Sequence, residues 1–130
     1  MRRVRVLVAD DHQAVREALV ELLNDVGFDV VGAAGDGVDA VALAKALGPD
    51  AVLMDLSMTV LNGLDATRLL REALPDTPVV VFSAFDSAEL KRQALAAGAV
   101  AYLAKDCTTQ RLRATLDGAV TLAAGHLGQR

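Results

Sequence analysis

Residues Ala44-Lys45-Ala46-Leu47-Gly48-Pro49-Asp50-Ala51-Val52-Leu53-Met54-Asp55 decide how this chain folds. The helical run that ends in Leu47 is stopped by Gly48-Pro49, since glycine takes the left-handed cap position and proline cannot extend a helix. Four apolar residues, Ala51 to Met54, come next and end on the carboxylate of Asp55. A short apolar run without polar alternation suits a strand covered on both faces, as in a parallel sheet.

Outward from this segment, comparable apolar runs stand at Val4 to Ala9, Phe28 to Ala33, Pro78 to Phe82 and Val100 to Ala104, so five strands are expected. Helical stretches separate them. In the first, Val15, Leu19, Leu22 and Val26 recur at spacings of three or four, with Arg16, Glu17 and Glu21 between them. That amphipathic stripe suits a helix lying on a sheet. The second helix spans about Gly37 to Leu47 and the third about Gly63 to Leu74. The fourth is expected to start at Asp86-Ser87-Ala88-Glu89, where Asp86 and Glu89 have capping-box spacing. The fifth is expected to begin near Thr108, carry Leu112, Leu116, Ala119 and Ala123 on one stripe, and end before Gly125. Five strand-helix alternations with short connections require parallel pairing through right-handed crossovers. The predicted fold class is α/β, a five-stranded parallel sheet, doubly wound, with helices on both faces.

At 130 residues, 53% of them hydrophobic, the chain is sized for one domain with a buried core. A net charge of −4 gives no general electrostatic reason to bind nucleic acid or an anionic membrane. The single cysteine, Cys107, cannot form an intrachain disulfide, which fits a reducing compartment. No apolar run near the N-terminus is long enough for a signal segment or a membrane span. A cytoplasmic protein is therefore expected.

In doubly wound sheets, ligands bind beyond the carboxyl ends of the strands, near the point where the strand order reverses. At those ends stand Asp10-Asp11 after the first strand, Asp55 after the third, Ser83 after the fourth and Lys105 after the fifth. Asp10-Asp11 would also suit a helix cap. Three carboxylates at one mouth repel one another by several kcal/mol per close pair unless a cation joins them. Oxygen ligands without histidine or cysteine favour Mg²⁺. A lysine, a hydroxyl and a hard cation around one carboxylate make a site for a phosphoryl group, with that carboxylate as nucleophile.

The segments Val6-Leu7-Val8-Ala9-Asp10-Asp11-His12, Val52-Leu53-Met54-Asp55-Leu56-Ser57-Met58, Val81-Phe82-Ser83-Ala84 and Tyr102-Leu103-Ala104-Lys105 resemble those of response-regulator receiver domains in two-component signalling, over nearly the whole chain. The resemblance implies a flavodoxin-like fold in which Asp10, Asp11, Asp55 and the Ser57 carbonyl hold Mg²⁺, and Asp55 is the phosphoacceptor. It further implies that Ser83 and Lys105 bind the phosphoryl oxygens and that Tyr102 changes rotamer when Ser83 moves. Ser57 and Phe85 match the positions that flank attacking water and tune the phosphoryl lifetime. The implied donor is a sensor histidine kinase or a small acyl phosphate. Asp10-Asp11-His12, Gly63 to Arg68 and Tyr102 to Asp106 look most like the NarL/FixJ subclass, whose members usually carry a LuxR-type helix-turn-helix domain. Residues 1–124 are expected to be the receiver, and 125–130 a tail or the start of a linker to an effector domain outside the chain.

Helix four, strand five and helix five would change shape on phosphorylation. That face is nearly neutral, with Lys91, Arg92, Lys105, Arg111 and Arg113 against Asp86, Glu89, Asp106 and Asp117. It is expected to bind protein rather than DNA, and homodimerisation on phosphorylation is the expected output, through this face or through helices one and five. The chain departs from the family at Thr59, where proline is usual, and at Asn62, where aspartate is common. Asp106 stands where many receivers have proline, and the Lys105–Asp106 bond is expected to be trans, since a cis non-proline bond costs roughly 2.5 to 4 kcal/mol. His12 is expected to be solvated and Cys107 structural.

Two rival functions are less well matched by the residues. A haloacid-dehalogenase-like phosphatase needs a second acid two residues after its nucleophile, where this chain has Ser57. A receiver-like module that binds its partner without phosphate usually lacks part of the acid pair, the acceptor or the lysine, all present here. A non-enzymatic signalling switch is expected.

Overall fold

Apolar runs and amphipathic stripes take turns along the chain, and strands and helices take turns with them. A computed structural model describes residues 2–128. Its elements are Arg5–Ala9 (β1), Gln13–Asp25 (α1), Asp29–Ala34 (β2), Gly37–Leu47 (α2), Ala51–Met54 (β3), Gly63–Ala73 (α3), Val79–Ser83 (β4), Ala88–Ala97 (α4), Ala101–Ala104 (β5) and Thr109–Gly128 (α5). The strands form one parallel sheet in the order β2-β1-β3-β4-β5. The chain winds from β1 to β2 on one side and then crosses back to β3 on the other. The winding direction therefore reverses between β1 and β3, which opens a crevice there.

Alternate side chains of each strand enter two separate cores. Val6, Val8, Leu53, Val80 and Phe82 pack with Leu19 and Leu23 of α1 and Leu112 and Leu116 of α5. Leu7, Ala9, Val52, Met54 and Val79 pack with Ala40, Val41 and Ala44 of α2 and Ala66 and Leu70 of α3. Val81 meets Ala94 of α4 in a smaller cluster that includes Tyr102 at its margin. Because both faces are covered, β3 is buried along its full length, while the edge strand β2 is not. Leu7, Leu23, Leu53, Leu70 and Leu116 are fully buried. Each contributes about 1.5–3 kcal/mol relative to an exposed position.

Side chains cap the N-termini of α2 to α5. Asp36, Asn62 and Ser87 accept from the amides of Asp39, Asp65 and Leu90 at the starts of α2, α3 and α4, and Thr108 Oγ1 accepts from Arg111 N at 3.1 Å before α5. The cap of α4 corrects the expectation of an Asp86–Glu89 box. Ser87 holds the extended N-cap conformation, and Glu89 turns outward to Gln93 and Arg92. At the opposite ends, Arg3 donates to the carbonyls of Asn24 and Gly27 after α1, and Arg5 to those of Leu47 and Gly48 after α2. Carbonyls with no intrahelical partner are thereby paired with cations, which the helix dipole also favours.

The fifth helix runs through Gly125 to Gly128, not ending before Gly125 as expected. A glycine inside a helix costs about 1 kcal/mol against alanine, which weakens the helix without stopping it. Of the expected tail, residues 129 and 130 lie outside the described residues. The Lys105–Asp106 bond is trans, as expected. Among the described residues, no helix is long and apolar enough to cross a membrane.

Candidate functional site

Ladder hydrogen bonds continue one residue past the ends of β1 and β3. Asp10 N donates to Ala34 O at 3.0 Å and Asp55 N to Ala9 O at 2.9 Å. Two aspartates are thereby fixed on neighbouring strands, at the reversal of the sheet, and both are buried, at 0% and 3% exposure. Lys105 reaches them from beyond β5, anchored by its own amide to Ser83 O at 2.7 Å. Its Nζ stands 2.8 Å from Asp10 Oδ2 and 3.4 Å from Asp55 Oδ1.

The second oxygen of Asp10, Oδ1, accepts from His12 N at 2.9 Å. His12 is the N-cap residue of α1 and makes no side-chain cap bond, so the acid pair does not cap that helix from the N-cap position. The carboxylates of Asp10 and Asp11 and a ring nitrogen of His12 lie within 4.8 Å of one another. The His12 ring is 77% exposed, as expected of a solvated histidine, yet its Nδ1 is 3.4 Å from Asp11 Oδ1. Asp55 faces Lys105 instead, with Ser57 N donating to its Oδ1 at 3.4 Å.

Ser83 is buried behind this group, and its hydroxyl oxygen accepts from Phe85 N at 3.1 Å. The carbonyl of Phe85 accepts from the Tyr102 hydroxyl. Ser83 and Tyr102 are thus joined through the backbone of one residue, whose ring is 59% exposed at the mouth. The structure brings Asp10, Asp55 and Lys105 into direct contact, sets Asp11 beside them, and turns Ser83 toward its own loop.

The family model of the response regulator receiver domain matches residues 6–117. The chain belongs to this family. The receiver domain of NarL from Mycobacterium tuberculosis has the same fold, with a TM-score of 0.84 and 39% identity over 92% of this chain and 98% of that one. Among curated relatives, the transcriptional regulatory protein PdtaR of M. tuberculosis is 39% identical over 90% of this chain and 57% of its own length. The response regulator GacA of Pseudomonas aeruginosa is 42% identical over 78% of this chain and 48% of its own. A protein-glutamate methylesterase/protein-glutamine glutaminase of Myxococcus xanthus is 42% identical over 87% of this chain but 35% of its own length. The chain spans about half the length of the first curated relatives it matches. Proteins named as transcriptional regulators and one named as an enzyme share this stretch, so the likeness carries the switch and leaves the output open.

Burial and neighbouring charge act together on Asp55 and Lys105 of the receiver. Burial pushes the Asp55 carboxyl above its ordinary value, and the charge of Asp10 adds to this, against the opposing pull of Lys105 and Ser57 N. Burial pushes the Lys105 amine down, but the carboxylates of Asp10 and Asp55 more than reverse that and hold it above its ordinary value. Burial raises the Cys107 thiol, as suits a cysteine packed against the α1/α5 core rather than a reactive one.

Sequence reasoning missed the strain in the loop after Asp55. Val60 has φ 68°, the one positive value outside glycine among the described residues, and Leu61 N donates to Thr59 O at 2.7 Å across it. This is a γ-turn around a β-branched residue, a costly conformation. Nothing local announces it. The loop is also confined at both sides. A Cβ on Gly63 would lie 2.1 Å from Asp55 O, and one on Gly37 would lie 2.0 Å from Leu61 O.

The raised Asp55 carboxyl has a consequence for stability. Its charged form is disfavoured in the fold, so its contribution is greatest below the ordinary value of 3.8 and is lost as pH rises through the folded value. In chelator-containing buffer, Asp55→Asn should therefore be more stable than wild type near neutral pH, with the gap closing as pH falls toward 3.8. Urea unfolding across that range tests this. A gap independent of pH, or a wild type that is the more stable at neutral pH, contradicts it.

Proposed function

We propose that this receiver accepts a phosphoryl group on Asp55 and serves as the switch of a two-component response regulator of the NarL/FixJ subclass. The observation that carries the reading is the Lys105 ammonium set between two buried carboxylates at the reversal of the sheet. Hydrogen bonding supports Asp55 as the nucleophile. Both oxygens of Asp10 are engaged at 2.8 and 2.9 Å, whereas the contacts of Asp55 are 3.4 Å, both on Oδ1. Asp55 therefore retains a lone pair for attack. An Asp55 oxygen forms the bond to phosphorus while the bond from phosphorus to the donor breaks, its electron pair leaving with the donor. Lys105 is placed to bind the transferred oxygens.

The donor set fits Mg²⁺, because Asp10, Asp11 and Asp55 offer only oxygen and one ammonium leaves their charge uncompensated. Asp10, Asp11, Asp55 and the Ser57 carbonyl would hold the ion. When bound, it neutralises carboxylate and phosphoryl charge. The Ser83 oxygen accepts from Phe85 N, which leaves its O–H to donate to a phosphoryl oxygen. Because Tyr102 donates to the carbonyl of Phe85, whose amide Ser83 accepts from, movement of Ser83 would be passed through the backbone of that residue to the α4–β5–α5 face. A sensor histidine kinase is the donor that the family's chemistry calls for. The output is protein association, a homodimer that places an effector, of LuxR type by analogy with the regulators it resembles, on DNA. The setting is the cytoplasm, and the domain acts as a switch rather than an enzyme. The position two beyond Asp55 is Ser57, whose hydroxyl cannot serve as the acid a phosphatase requires.

Acetyl phosphate with Mg²⁺ should add one phosphoryl group to the wild-type chain by intact mass, and none to Asp55→Asn or in chelator. An unchanged wild-type mass under every donor, or labelling of the Asn variant, removes the central claim. In the same assay Phe85→Asn should lose its label faster than wild type, because the exposed apolar ring offers no group to orient water. Equal or slower loss refutes that role. Beryllofluoride with Mg²⁺ should raise the weight-average mass in sedimentation, and Ser83→Ala should abolish the rise. Identical mass with and without the analogue, well above micromolar protein, excludes dimerisation from the mechanism.

A further inference from the structure

Arg16 lies in the first turns of α1, and helical side chains lean toward the N-terminus of their helix. It therefore points back at the junction between β1 and α1. Its Nη1 donates to the carbonyl oxygen of Asp10 at 2.7 Å. That oxygen belongs to the peptide joining Asp10 to Asp11. On its other side the guanidinium lies against the bare backbone of Gly35, where a Cβ would approach Nη1 at 3.3 Å and Cζ at 3.7 Å. Asp10 is thereby held at every polar atom: N by Ala34 O, O by Arg16, Oδ1 by His12 N and Oδ2 by Lys105.

We propose that Arg16 is a positioning residue for the divalent cation, fixing the peptide that sets the two carboxylates of the acid pair against each other. The inference rests on the reading of Asp10 and Asp11 as a Mg²⁺ site. It predicts a sign opposite to simple electrostatics. A cation beside the site repels Mg²⁺, so removing a charge that did nothing else would tighten binding. Removing a clamp loosens it, and groups that orient metal ligands typically change affinity 10–100-fold when lost.

Calorimetric titration of the intact chain with MgCl₂ reads this directly, and urea unfolding in chelator follows stability separately. Arg16→Met should weaken Mg²⁺ binding about tenfold. Arg16→Lys keeps the charge and one donor and should recover part of the loss. Gly35→Ala crowds the guanidinium without removing any group of the site and should weaken binding less than Arg16→Met. Wild-type or tighter binding in Arg16→Met overturns the proposal. If that variant does not fold, unchanged affinity in both Arg16→Lys and Gly35→Ala overturns it instead. A wild-type chain that takes up no Mg²⁺ defeats the reading of the acid pair itself, whereas normal wild-type binding with unaffected variants defeats the role of Arg16 alone.

Discussion

The site depends on the Lys105 ammonium lying between the carboxylates of Asp10 and Asp55. Two carboxylates at the ends of adjacent buried strands would each lose hydration and repel the other, a combined cost of several kcal/mol. A cation from the protein offsets part of it. Lys105 can supply that cation only because β5 follows β4 in the sheet. It must pass the end of β4 to meet carboxylates that follow β3 and β1, which requires a long side chain. One ammonium does not balance the three carboxylates of Asp10, Asp11 and Asp55, so the pocket keeps an excess of negative charge.

The surrounding fold makes this excess tolerable. Each central strand buries alternate side chains in two separate cores, so the ends of β1 and β3 are held by packing that does not depend on the charges. Hydrogen bonds past the strand ends carry that rigidity to Asp10 and Asp55. Ser83 and Tyr102 are tied by less. They meet only through the backbone N–H and carbonyl of one residue, Phe85, outside the ladder.

The loop from Leu56 to Asn62 shows what confining the backbone after Asp55 costs. It passes between the first residues of α2 and α3, where only glycines at 37 and 63 leave room for its backbone. Within that loop Val60 takes a positive φ in the γ-turn, a strained backbone for a β-branched residue, and at 81% exposure it gains little packing in return. Where relatives of the family place proline, Thr59 lends its carbonyl to the turn.

The fold class was legible in residues 44–55 and the runs like them, because covered parallel strands must be apolar throughout and their helices must be striped. The α2 boundaries fall on the expected residues for the same reason: a glycine that can turn left-handed is visible in the sequence. Asp10, Asp55, Ser83 and Lys105 were legible as strand-end residues before their contacts were known. Their order of contact was not. That Lys105 meets Asp10 more closely than Asp55, that Ser83 faces Phe85, and that Arg16 holds the Asp10 carbonyl all depend on side-chain paths across elements distant in the chain. The strain at Val60 and the full length of α5 were likewise decided by neighbours or helix continuity, against what a glycine or a valine prefers locally. Periodicity and strand-end chemistry are local and survive in sequence, whereas burial, charge balance and strain are sums over neighbours that exist only once the sheet has closed.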